Sequence, residues 1–205
     1  MIVVVDYDMG NSGSVINMLR RVGHDAQLSG DPKVIANASK LILPGVGSFD
    51  KGMKNLSSRG LVEILNAKVL QENTPILGIC LGIQLFTEYS EEGSVDGLGW
   101  IKGETRKFDT KKFDRDWRVP HMGWNTIEPT KQHYMTDDLE MDARYYFVHK
   151  FHVSCSDEND ILTKSNYGYD FISSVAKKSI VGAQFHPEKS LRWGMSFLKR
   201  FVNGV

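Results

Sequence analysis

A chain of 205 residues is long enough to bury one substantial core, and 41% hydrophobic with 24% charged residues is the profile of an ordinary globular domain. Lysine plus arginine balances aspartate plus glutamate at 25 each, so no net field directs the chain toward nucleic acid or an anionic membrane. Two distant cysteines exclude a disulfide framework and a Cys-x-x-Cys zinc site, and no run approaches the roughly 18 apolar residues of a membrane helix. The start, Met1-Ile2-Val3-Val4-Val5-Asp6, lacks the basic region and long apolar run of a secretory signal, which predicts a reducing, cytoplasmic setting. One domain over 1–205 is expected, with no metal and no cofactor.

Ile2 to Tyr7 is a continuous apolar run closed by polar residues, the pattern of a central parallel strand covered on both faces. Asn11-Ser12-Gly13-Ser14 offers N-cap candidates before a helical stripe of Val15, Ile16, Met18, Leu19 and Val22. Ala26 to Leu28 reads as a short strand, Asp31-Pro32 as an N-cap with proline at the first helical position, and Lys40 to Leu43 as another buried strand. Leu61 to Leu70 is helical by spacing, Pro75 to Ile79 is the next strand, and a helix is expected over Leu81 to Glu88. This alternation predicts an α/β fold: a doubly wound, mostly parallel sheet flanked by helices, with its site outside the strand carboxyl ends.

Beyond about Gly97 the rhythm changes. Trp100 to Phe108, Thr126-Ile127-Glu128, Arg144 to Cys155, Ile161 to Lys164 and Phe171 to Ala176 are rich in aromatic or β-branched residues and predict an added antiparallel β section. Asp109 to Arg118 is dense in charge and reads as an exposed loop. Ser179 to Phe185 returns to a buried strand, and Leu191 to Val202 closes as an amphipathic helix.

The chain is organised around Thr74-Pro75-Ile76-Leu77-Gly78-Ile79-Cys80-Leu81-Gly82-Ile83-Gln84. Strand, tight turn and helix follow one another, and glycines two residues either side of Cys80 permit the strained bend that lifts a nucleophile clear of a sheet. Free backbone N–H groups at a helix start favour thiolate over thiol. On this stretch alone, a buried structural cysteine is the alternative.

A thiolate attacking a carbonyl needs a base, a group that orients the base, and donors for the oxyanion. His186-Pro187-Glu188 supplies the first two: Pro187 biases His186 toward extended backbone, where residues two apart point the same way, so Glu188 can hold the imidazole tautomer. His121, His133, His149 and His152 lack a carboxylate two residues on, and His24 lies past a helix end. The oxyanion donors are expected from Pro44-Gly45-Val46-Gly47, as the N–H groups of Val46 and Gly47, and from the Leu81 N–H. Gln84, four residues after Cys80, is either ligand-facing or a surface glutamine.

Gly78 to Gln84 and Gln184-Phe185-His186-Pro187-Glu188 resemble the two signatures of class I, or triad, glutamine amidotransferases. Leu43 to Phe49, Pro120-His121-Met122-Gly123-Trp124-Asn125, Tyr146-Phe147-Val148-His149 and His186 to Ser190 further resemble the glutaminase subunits of imidazole glycerol phosphate synthases, so the likeness spans essentially the whole chain. The resemblance implies hydrolysis of glutamine to glutamate and ammonia, with ammonia passed to a (β/α)8-barrel cyclase subunit in histidine biosynthesis. It implies that Cys80 forms the glutamyl thioester, His186 shuttles the proton and Glu188 orients it. By the same likeness Gly47, Gln84 and Glu92 lie about the glutamine, and Met122, Trp124 and Lys189 face the cyclase around the ammonia exit. Two places depart from the pattern: Lys150 and Phe151 replace a small hydroxyl residue and tyrosine, and Asp8 replaces glycine. A paralogous glutaminase feeding a sugar amidotransferase, and a non-catalytic assembly subunit, are the alternatives.

Overall fold

The computed structural model describes residues 1–204. Its first half alternates β1 (Ile2–Val5), α1 (Ser12–Arg21), β2 (Ala26–Ser29), α2 (Pro32–Ala36), β3 (Lys40–Gly45), α3 (Phe49–Ser58), α4 (Leu61–Asn66), β4 (Ile76–Cys80) and α5 (Leu81–Leu85). Then follow β5 (Thr87–Ser90), β6 (Val95–Asp96), β7 (Ile101–Lys107), β8 (His121–Asn125), β9 (Glu128–Pro129), β10 (Tyr145–His149), β11 (Phe151–Cys155), β12 (Ile161–Asn166), β13 (Asp170–Lys177), β14 (Ile180–Ala183) and α6 (Leu191–Asn203). The large sheet runs β2-β1-β3-β4-β14-β13-β11-β7-β5-β6, with β12 on β13 and β9 on β12, while β8 and β10 form a separate ribbon.

From β2 to β14 the strands are parallel, and the chirality of βαβ crossovers puts helices on both faces. Strand alternation divides the core accordingly. Ile2 and Val4 pack with Val15 and Leu19 of α1 and Phe197 and Phe201 of α6, while Val3 and Val5 pack with Ile35, Phe49, Leu56, Leu61 and Leu65 of α2, α3 and α4. Each such fully buried aliphatic side chain contributes on the order of 1.5–3 kcal/mol. The antiparallel section continues the same sheet through β13, β11 and β7, as the aromatic and β-branched segments predict, and β5 then joins β7 in parallel with β6 antiparallel at the edge.

Several boundaries differ from the sequence expectation, each for a local reason. The helix after Cys80 stops at Leu85 rather than Glu88, because Thr87 Oγ1 donates to the Gln84 carbonyl at 2.8 Å and Thr87 joins β5 beside β7. Helix α3 was not foreseen, since Gly52 sits mid-helix at the usual cost of about 1 kcal/mol against alanine. Gly52 is there because Leu81 and Leu85 of α5 approach within 3.2–3.4 Å of where its Cβ would be. The expected strand from Arg144 to Cys155 is two strands in different sheets, parted at Lys150. Likewise Thr126 lies in a turn, its N–H held by the Asn125 side chain at 2.9 Å, and β9 begins only at Glu128. Asp109 to Arg118 is largely exposed, with Phe113 and Trp117 turned partly inward.

Candidate active site

Register brings the site together. In the parallel pair β3 and β4 Gly45 lies opposite Cys80, and in β14 and β4 Ala183 lies opposite Ile79. The Pro44 to Gly47 loop, the Cys80 turn and the His186 turn therefore leave three adjacent central strands at their carboxyl ends. Cys80 adopts φ +54° and ψ −104°, an unfavourable region for a residue with a Cβ. Its glycine neighbours make that bend possible. A Cβ on Gly82 would lie 1.9 Å from the Leu43 carbonyl oxygen, and one on Gly78 would lie 2.6 Å from the Phe86 ring.

A cavity of about 310 Å³ opens at these strand ends, and Cys80, His186, Val46, Gly47, Leu81, Gln84 and Glu92 all line it. Pro120, Val148, His149, Lys150 and Phe151 complete its wall. Lys150 and Phe151, the two departures from the family pattern, thus border the space where a ligand fits. Asp8 does not: it occupies φ +60°, which explains why glycine suits the position, and pairs with Arg59 at 2.6 Å.

His186 Nδ1 and Glu188 Oε1 are 2.7 Å apart, with the two side chains only 1% and 3% exposed. The route differs from the one read in the sequence. His186 is extended, but Pro187–Lys189 forms a single 3₁₀ turn, so Glu188 folds back beneath the imidazole instead of sharing a strand face with it. Ser190 Oγ donates to the His186 carbonyl at 2.6 Å, and the His186 N–H donates to the Tyr146 carbonyl at 2.9 Å, which fastens the turn to β10. With Nδ1 engaged by Glu188, Nε2 is the nitrogen left for Cys80; it is buried without another hydrogen-bond partner. Burial alone lowers the imidazole, yet the proximity of Cys80 and Glu188 outweighs it and raises His186 to about 9. An imidazole that keeps its proton near neutral pH is the group suited to protonate a departing amine.

Gln84 is 5% exposed, which removes the surface-glutamine alternative. Its Nε2 donates to the Phe151 carbonyl at 3.0 Å and to Gln184 Oε1 at 3.2 Å. Glu92 Oε2 accepts the Phe49 N–H at 2.9 Å and satisfies the start of α3, where the Ser48 side chain makes no capping bond. Met122 and Trp124 are 61% and 43% exposed on the outward side of β8. Trp124 meets Tyr146 and Trp193 edge-on at 5.9 and 6.3 Å between ring centroids, and the Lys189 ammonium lies 5.8 Å from the Tyr146 ring centre. The three residues expected at a partner interface thus share one aromatic patch. Val148, directly opposite Met122 in the ribbon, also lines the cavity.

Of the other histidines, His149 alone lines the cavity; it carries no carboxylate partner, and its Nδ1 bonds the Phe151 carbonyl at 2.8 Å. Among the described residues no cluster of His, Cys, Asp or Glu is arranged to hold a metal ion, and no helix is long and apolar enough to cross a membrane. The second cysteine lies apart on β11, where burial first and then Asp160 push its thiol up to about 12. A glutamine analogue bearing an electrophilic side chain should therefore label Cys80 and leave Cys155 unmodified near neutral pH. Peptide mapping checks this, and an adduct on Cys155 would overturn the assignment of the nucleophile.

The model of the class-I glutamine amidotransferase family matches residues 3–205. The chain is 49% identical over 202 residues to imidazole glycerol phosphate synthase subunit HisH 2 of Methanococcus maripaludis, covering 98% of each. It is 46% identical over 205 residues to the protein of the same name from Pseudomonas aeruginosa, covering 100% of both. Among solved structures, a glutamine amidotransferase superposes with a TM-score of 0.75 at 18% identity over 100% of both chains. PurLQS from Thermotoga maritima superposes at 0.74 and 18% identity over 99% of this chain and 97% of that one. Those two likenesses speak to the fold; the full-length matches at 46–49% identity and the nucleophile turn beside a paired histidine speak to kinship: this chain belongs to the class-I glutamine amidotransferases.

Proposed function

We propose that the chain is the glutaminase subunit of an imidazole glycerol phosphate synthase. Cys80 attacks the carboxamide carbon of glutamine, the C–N bond breaks as His186 delivers a proton to the departing ammonia, and water then hydrolyses the glutamyl thioester to glutamate. Glu188 holds the imidazole, and the N–H groups of Val46, Gly47 and Leu81 receive the developing oxyanion. Glu92, at the cavity wall, suits the α-ammonium group of the substrate, and Gln84 and Gly47 line the rest of its path.

The observation that carries the reading is the placement of Cys80, His186 and Glu188 at the carboxyl ends of two adjacent strands in a chain with full-length likeness to subunits bearing that name. The exposed Met122, Trp124 and Lys189 patch on the ribbon behind the cavity is the face for a (β/α)8-barrel cyclase subunit. Ammonia released at Cys80 passes through that face without escaping to solvent. The chain acts as one domain in a cytoplasmic heterodimer and uses neither metal nor cofactor.

A paralogous role, feeding ammonia to a sugar amidotransferase, is favoured by one feature: Lys150 and Phe151 in the cavity wall where the histidine-pathway pattern has a hydroxyl residue and tyrosine. Co-purification from the native cell followed by identification of the companion subunit separates the two. A barrel cyclase that turns over with glutamine in the presence of this chain supports the first reading; a synthetase acting on a nucleotide-linked sugar supports the second. A complex that releases no glutamate at all would leave only an assembly role.

A further inference from the structure

Gln184 is fully buried, lies outside the cavity wall, and has no part in the reaction as written above. Its Nε2 stands 3.9 Å from the Cys80 sulfur. What faces that sulfur is fixed by hydrogen-bond chemistry, because a backbone carbonyl oxygen only accepts. The Phe151 carbonyl receives two bonds, one from Gln84 Nε2 at 3.0 Å and one from His149 Nδ1 at 2.8 Å. Gln84 must therefore present its NH₂ in that direction, and the same group donates at 3.2 Å to Gln184 Oε1. With its oxygen so occupied, Gln184 is left with its NH₂ toward the thiol.

The other branch runs equally in one direction. His149 donates from Nδ1, so its Nε2 is an acceptor, and His121 Nδ1 at 3.0 Å must be the donor to it. His121 Nε2 then accepts from Asn125 Nδ2 at 3.4 Å, and the Asn125 amide is itself oriented by the Thr126 N–H on its Oδ1 at 2.9 Å. Both histidines must be neutral for this order. Burial lowers His121 to about 4 and, with the neighbouring His121, holds His149 well below the ordinary imidazole range. The chain begins on β8, the strand whose outward side chains are Met122 and Trp124.

We propose that Gln184 is a further catalytic residue: its side-chain amide donates to the Cys80 sulfur and stabilises the thiolate, in an orientation locked by the one-way chain Asn125, His121, His149, the Phe151 carbonyl and Gln84. Asn125, His121, His149 and Gln84 are positioning residues. The inference builds on the reading of Cys80 as nucleophile, and its test needs no glutamine, so it stands or falls apart from the glutaminase assignment. In the thiol form Cys80 Sγ also reaches the Val148 carbonyl at 3.9 Å, a contact the thiolate cannot use as a donor. Other titratable groups around the sulfur are Tyr7 just beyond β1, His186 with Glu188 after β14, His149 on β10, and Glu92 and Lys150 in the cavity wall.

The test is alkylation of Cys80 by iodoacetamide in the full-length protein, followed by peptide mapping across a pH series. Gln184→Met keeps the volume and removes the donor. Near neutral pH it should slow Cys80 alkylation by about tenfold, the effect of one lost hydrogen bond to a charged group. The gap should close in alkali, where every thiol is ionised. Gln84→Met, which frees Gln184 to turn its oxygen toward the sulfur, should slow alkylation in the same sense. Wild-type rates in a folded Gln184→Met protein, or a deficit that persists in alkali, overturn the proposal. Should that variant fail to fold, wild-type rates in Gln84→Met overturn it instead.

Discussion

Replacing Cys80 by alanine should abolish product formation from glutamine while leaving formation from added ammonium salt intact. On the proposed reading only the glutamine half of the coupled reaction needs the sulfur, and a partner that uses ammonia can also take it from solution. The expected loss is at least about a thousandfold, the scale seen when a covalent nucleophile is removed. Folding is not expected to suffer comparably. Cys80 is buried at the end of β4, but alanine removes a single sulfur atom and carries the same penalty at φ +54°. Its neighbours behave otherwise, since the Leu43 carbonyl leaves no room for a Cβ on Gly82. Coupled assays with glutamine and with ammonium salt, run on the same preparation of the complex, give the answer. Loss of both activities together would show that Cys80 supports assembly rather than chemistry.

The contrast between Cys80 and its neighbours explains why so much of this site was legible in one dimension. Gly78 is required by contacts inside the turn, with Phe86 and Gly82, so the sequence carries its reason locally, whereas Gly82 is required by the Leu43 carbonyl on another strand and was legible only through its spacing from Cys80. His186 and Glu188 were also readable as a pair, yet through a mistaken geometry: strand alternation and a 3₁₀ turn both bring residues two apart to one side. The fold class was readable because β1, β3, β4 and β14 are buried on both faces, which forces continuous apolar runs. What stayed hidden depends on partners distant in the chain. Thr87 belongs to a strand because Thr105 and the Ile101–Lys107 segment meet it, and nothing near residue 87 announces that. Lys150 separates two strands that read as one because His121 to Asn125 pairs with β10 while Ile101 to Lys107 pairs with β11. Gln184 sits inside a recognised motif, but its reach to Cys80 spans 104 positions and appears only in the fold.

Glutamine hydrolysis should rise at least about a hundredfold when the partner and its acceptor substrate are both present, because a resting subunit that lacks one oxyanion donor forfeits on the order of 3 kcal/mol. The Pro44 to Gly47 loop is built for such a switch. Gly47 holds φ +130°, so the peptide between Val46 and Gly47 can turn over with little steric resistance, and Val46 is half exposed above it. Gly45, by contrast, is wedged: a Cβ there would lie 2.5 Å from the Tyr7 hydroxyl and 2.7 Å from Leu81 Cβ, which anchors one end of the loop while the other moves. Beneath the wedge the Tyr7 hydroxyl is buried with no hydrogen-bond partner among the described residues. Val148, on the ribbon that also carries Met122 and Trp124, lines the same cavity as Val46 and Gly47, so on the proposed reading a partner docked on that ribbon can bias the loop. Glutaminase rates for the chain alone, with its partner, and with partner plus acceptor substrate decide the matter. Equal rates in all three would mean that the glycines serve only a tight turn and that the enzyme is constitutive.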